Sequence, residues 1–165
     1  MIINAKASPI NDSQAETMQF DTDSFPIAID SGSTYCLTDQ KSDFEGPLIP
    51  INVQIQGITE RKGLAKYKGT VVWKVSDDTG KTHVLRIQNT LLVNTKLPFR
   101  ILSPQHFSQA NQANKVDTIK NGTRTIVGDD SVELQWGNQR HIKTVPLSRS
   151  SNIPIMQSAT GFKNF

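Results

Sequence analysis

Phe25-Pro26-Ile27-Ala28-Ile29-Asp30-Ser31-Gly32-Ser33-Thr34 is a short apolar run that stops abruptly at a carboxylate, two small residues and a hydroxyl. An apolar run closed by Ser and Gly reads as a buried strand entering a tight turn, which sets Asp30 at the end of a rigid element. A carboxylate in that position has a chemical use. Facing a second carboxylate it shares one proton, because two like charges in contact cannot both ionise. One group then activates a water while the other protonates the carbonyl under attack.

On the N-terminal side, residues 1–19 are rich in Ser, Asn, Gln and Ala without periodicity and read as a flexible lead-in. On the C-terminal side, Ile49, Ile51, Val53 and Ile55 alternate with polar or Pro residues, the pattern of a half-buried strand over 48–58. A polar reversal at 59–63 returns the chain as a strand over 64–75. Asp77-Asp78-Thr79-Gly80 is a turn signal before a further strand at 82–87. Thr90 to Val93 and Phe99 to Leu102 are short apolar strands. Ser103-Pro104 then places a cap residue and a first-turn proline at the start of a helix running to about Ala113. Strands follow at 124–127, 131–136 and 141–147. The class is all-β, with one short helix.

Composition narrows the function classes. The 165 residues suffice for one domain with tails. Hydrophobic content of 36% and a mean hydropathy of −0.39 leave room for exposed segments. The net charge of +3 comes from 18 basic and 15 acidic residues interspersed along the chain. Lys62, Lys66, Lys68 and Lys74 read as a solvated strand face, so nucleic acid is not an expected partner. The single cysteine, Cys36, excludes an internal disulfide and reads as a packed thiol. His83, His106 and His141 lack ligand spacing, so no metal is expected. No stretch approaches the ~18 apolar residues of a membrane span. The N-terminus has no signal-peptide core, which makes Asn11-Asp12-Ser13 and Asn121-Gly122-Thr123 polar turns rather than glycosylation sites and points to an intracellular protein.

The order of these elements resembles the protomer of a retroviral-type aspartic protease, a retropepsin. The likeness covers residues 20–113. Ile29-Asp30-Ser31-Gly32-Ser33 is similar to the catalytic loop in its Asp-Ser-Gly form, and Ile55-Gln56-Gly57-Ile58 to the flap that closes over substrate. Phe99-Arg100-Ile101-Leu102-Ser103 resembles the apolar pair before the C-terminal helix, with Ser103 where retroviral enzymes carry Gly. Leu102-Ser103-Pro104-Gln105, Gly69 to Val75 and Val132 to Trp136 look most like the protease region of copia-type retrotransposon polyproteins.

The resemblance implies a closed β-barrel protomer of the acid-protease fold over 20–113; beyond it, 114–147 read as a β-hairpin extension and the Ser/Asn-rich, aperiodic 148–165 as a tail. It implies an aspartic endopeptidase acting on polyprotein segments, in the cytoplasm or in a virus-like particle, with no metal or organic cofactor. Asp30 would be general acid and base. The Ser31 hydroxyl would cross to the partner chain, Gly32 would permit close backbone approach, and Ser33 would hydrogen-bond the outer carboxylate oxygen. Gln56, Gly57 and Ile58 would line the substrate, and Ile101 and Leu102 would support the loop from beneath. With one Asp-Ser-Gly per chain, the dyad requires a homodimer. The alternative reading is a decayed or adapted copy of the fold that serves as a binding or dimerisation module.

Overall fold

The apolar run does form a strand, β1 (Pro26–Ile29), buried from Ile27 onward. It belongs to a computed structural model that describes residues 23–56, 62–112 and 122–160. The lead-in expected at 1–19 lies outside the described residues. After β1 come β2 (Leu37–Thr38), a 3-10 turn (Lys41–Asp43), β3 (Phe44–Gln56), β4 (Lys62–Ser76), β5 (Thr82–Val93) and β6 (Arg100–Leu102). The helix α1 (Pro104–Gln112) follows, then β7 (Arg124–Val127), β8 (Ser131–Trp136), β9 (His141–Pro146) and β10 (Ile155–Gln157). The protein is mostly β, with one α-helix among the described residues.

Seven strands form one sheet in the order β10-β1-β6-β2-β5-β4-β3, and β7-β8-β9 form a second. β6 lies parallel to β1, with Ile29 opposite Leu102, and antiparallel to β2, with Leu37 opposite Ile101. A strand from residues 100–102 thus separates two strands that are close in sequence. The chain between β1 and β2 must cross the end of β6, and that crossing is the Asp30 loop.

Three expectations need correction. The first is the closed barrel: among the described residues β10 and β3 are edge strands, and the three-stranded sheet packs on the larger one without closing it. Val132, Leu134, Trp136 and Val145 from that sheet share one buried cluster with Ile27, Trp73, Val75, Phe107 and Met156. A second layer covers the apolar face, so burial does not require closure.

The second correction concerns 148–165, read as a tail. It contains β10, which pairs antiparallel with β1, Ile27 opposite Met156, and buries Met156 in the core. The third concerns residues 82–93, expected as two strands and found as one. Asn89 takes a left-handed conformation (φ 59°), and a register shift lies between the Gly69 and Val71 pairings on β4. That is the bulge geometry Asn tolerates better than most residues, and it breaks the alternation without ending the strand.

The helix begins as its cap residues dictate. The His106 N–H donates to Ser103 Oγ at 3.3 Å, and the Phe107 N–H donates to the Ser103 carbonyl at 2.9 Å. His106 and Phe107 are both buried, so α1 lies against the sheet beside the Asp30 loop.

Candidate active site

Asp30 emerges at the end of β1 with its side chain exposed, directly after three buried residues. Its N–H donates to the Leu102 carbonyl at 3.0 Å, its carbonyl accepts the Ser33 N–H at 3.2 Å, and its Oδ1 accepts the Gly32 N–H at 2.8 Å. The carboxylate is therefore aimed by its own turn while its backbone is anchored to β6. A Cβ built on Gly32 would lie 3.2 Å from Asp30 Oδ1, so the tightness of this turn accounts for the glycine.

The far end of the loop is held as firmly. The Cys36 N–H donates to His106 Nδ1 at 2.8 Å, and the Cys36 carbonyl accepts the Leu91 N–H at 3.0 Å. His106 Nε2 lies 2.8 Å from the Gln88 carbonyl, which only a protonated Nε2 can satisfy. The ring is thus neutral, with its proton on Nε2, and burial pushes its pKa down. Cys36 is fully buried, takes the Ser103 N–H on Sγ at 3.3 Å, and has its thiol pushed up to about 12 by burial. It is packing, not a nucleophile.

The remaining predicted residues are distributed as follows. Ser31 is exposed beside Asp30. The Ser33 hydroxyl donates to the Tyr35 carbonyl at 2.6 Å rather than to the Asp30 carboxylate, which corrects the role expected for it. It closes the loop on itself. Leu102 is fully buried in the main core, while Ile101 packs on the smaller cluster of Leu37, Ala65, Leu91 and Val93. Gln56 is exposed at the end of β3, opposite Lys62. Gly57 and Ile58, the rest of the expected flap, lie outside the described residues. A cavity of about 450 Å³ adjoins Asp30 and Ser31 and is walled by Phe99, Val127, Ile153 and Pro154 among others, without Gln56. The second sheet and the segment before β10 thus border the Asp30 loop.

Two features escaped sequence reasoning. His106 anchors the loop from the helix, and the only local hint was its place three residues after a capping serine. Asp77 and Asp78, read as solvated turn residues, tie the β4–β5 turn to β9. Asp78 accepts the Thr144 N–H at 2.8 Å and the Thr144 hydroxyl at 2.6 Å. Asp77 is buried, between His83 and His141. Comparison with family models, curated proteins and solved structures finds no match for the chain.

Proposed function

We propose that the chain is one protomer of a homodimeric aspartic endopeptidase, of the retropepsin type carried by copia-type retrotransposon polyproteins. One observation carries the reading. The Asp30 carboxylate is held exposed on a turn pinned to both β6 and α1, and the Asp-Ser-Gly sequence occurs once per chain. A rigid exposed carboxylate at a strand end can serve as half of a dyad, and a two-fold axis would bring the same residue from a second copy.

In the dimer the two Asp30 side chains share one proton. The ionised member takes a proton from a water, whose oxygen attacks the scissile carbonyl carbon. The protonated member gives its proton to the carbonyl oxygen, and the resulting diol collapses with transfer of a proton to the leaving nitrogen. Substrate would lie extended across the loop beneath the β3–β4 hairpin, bonded as an added strand. Cleavage would serve the parent polyprotein in the cytoplasm or in a particle assembled there. No helix among the described residues is long and apolar enough to cross a membrane.

The test is cleavage of extended peptides by purified chain, with Asp30→Asn as control. Activity should vanish in the variant, and wild-type specific activity should fall on dilution below the dimer constant. Cleavage that survives Asp30→Asn rejects the reading. A stable dimer that cleaves nothing favours the binding-module alternative.

A further inference from the structure

We propose that Asp77, His83 and His141 form a binding site for a transition-metal dication of the zinc class. The donor set is two imidazole nitrogens and one carboxylate oxygen, and the three ligand atoms lie within 4.8 Å of one another. Asp77 Oδ2 is 2.7 Å from His83 Nε2 and 3.9 Å from His141 Nδ1. Tetrahedral zinc, with bonds of about 2.0–2.2 Å, needs ligand atoms roughly 3.4 Å apart, a value these two distances bracket.

The carboxylate is prepared for this role. Asp77 Oδ1 accepts the Thr79 N–H at 2.9 Å, the Thr79 hydroxyl at 2.5 Å and the Lys81 N–H at 3.0 Å. Those donors fix the group from behind and leave Oδ2 turned toward both histidines, the outer-shell support a ligating carboxylate needs. Asp77 and His83 side chains are 5% and 12% exposed and His141 is 29% exposed, so the site opens to solvent on the His141 side. Entry, and a water as fourth ligand, come from there. Trp136 walls the site, its ring 5.2 Å from that of His83 and 5.8 Å from that of His141. Two nitrogen donors favour zinc, nickel or copper over calcium or magnesium, which take oxygen. On binding, His83 would present Nε2 without a proton to the ion, and its contact with Asp77 Oδ2 would be exchanged for metal bonds from both groups.

The ligands also come from different sheets. Asp77 and His83 sit at the β4–β5 turn and His141 opens β9, beside the Asp78–Thr144 contacts. A bound ion would clip the second sheet to the first and stabilise the fold by mass action.

Calorimetric titration of the full chain with Zn²⁺ at pH 7.5 should give one ion per chain and a raised thermal midpoint. Co²⁺ should give tetrahedral visible bands, and Cu²⁺ should quench the Trp136 fluorescence. His141→Gln and His83→Gln should each weaken Zn²⁺ binding by about tenfold or more. His106→Gln, whose ring nitrogens are both engaged elsewhere, should leave it unchanged. His141 is the most exposed ligand, so His141→Gln keeps the test valid if His83→Gln fails to fold. No stoichiometric Zn²⁺ binding, or binding indifferent to His141→Gln, overturns the proposal.

Discussion

Arg100 grips Asp43 with two hydrogen bonds, Nε to Oδ2 at 2.9 Å and Nη2 to Oδ1 at 3.0 Å, at the root of the strand that supports the Asp30 loop. Two more donors reach the same carboxylate, the Thr38 hydroxyl at 2.6 Å and Trp73 Nε1 at 3.2 Å. The guanidinium also lies 3.8 Å over the Phe25 ring. A buried charge in this setting is fully satisfied, and that changes what its removal does. Asp43→Ala should cost about 3 kcal/mol in urea denaturation, because it strands a partly buried guanidinium together with the buried Trp73 and Thr38 donors. A loss below 1 kcal/mol would mean the network does not hold the fold.

Gly32→Ala should act on turnover rather than stability. Its added Cβ would meet Asp30 Oδ1 at 3.2 Å, so the carboxylate has to shift by a few tenths of an ångström and its bond to the residue 32 N–H is disturbed. On the proposed function kcat should fall about tenfold or more. The position is exposed, so the urea midpoint should barely move. Unchanged kcat would show that the turn does not orient the carboxylate.

Acid should weaken the fold in two stages. The pKa values of His106 and His141 are lowered from an ordinary 6.5, chiefly by burial, so the unfolded chain takes up protons first as pH falls through 6.5. Stability present above that value is lost below it until the folded histidines also protonate. Asp77 follows. The Thr79 and His83 hydrogen bonds hold its carboxyl well below 3.8, so its contribution persists above that pH and is lost as pH drops further. Denaturation midpoints measured from pH 8 to pH 3 should show both declines, and His106→Gln combined with His141→Gln should flatten the first.

Deleting residues 148–165 should unfold the protein rather than trim it. The deletion removes Met156 from the core and the antiparallel partner of β1, and with them the bond from the Phe25 N–H to Ser158 Oγ. Circular dichroism and proteolysis of the truncated chain would decide. A stable, resistant 1–147 fragment would show β10 to be dispensable.

The sequence revealed most where structure is made locally. The strand and turn around Asp30, the Asp-Asp-Thr-Gly turn and the Ser103-Pro104 helix start each rest on a few neighbouring residues and appear where expected, and the alternation holds at Ile51, Val53 and Ile55 while Ile49, ahead of a register shift in β3, is exposed. What stayed hidden depends on distant partners. Ile155-Met156-Gln157 is too short to show a period, and only pairing with β1 makes it a strand. Asp77 and Asp78 have the composition of a solvated turn, and only the approach of β9 buries one and bonds the other. Likewise, His83 and His141 show no ligand spacing because two sheets bring them together. At the candidate site, Asp30 was legible from its tripeptide, whereas the anchoring of its loop by His106 depends on the packing of α1.

The position of β10 also bears on when the site comes into being. Ser24 and Ser158, whose hydrogen bond flanks the β1–β10 pairing, are 134 residues apart in sequence. β1 lies between two strands that follow it in synthesis, β6 and then β10. Contacts of such long sequence separation form late, after their loop-closure entropy has been met. While the chain is being made, Asp30 therefore stands on an unfinished strand until Gln157 has cleared the ribosome. On the proposed function, translation itself would keep the carboxylate from its place in the dyad until β10 is present.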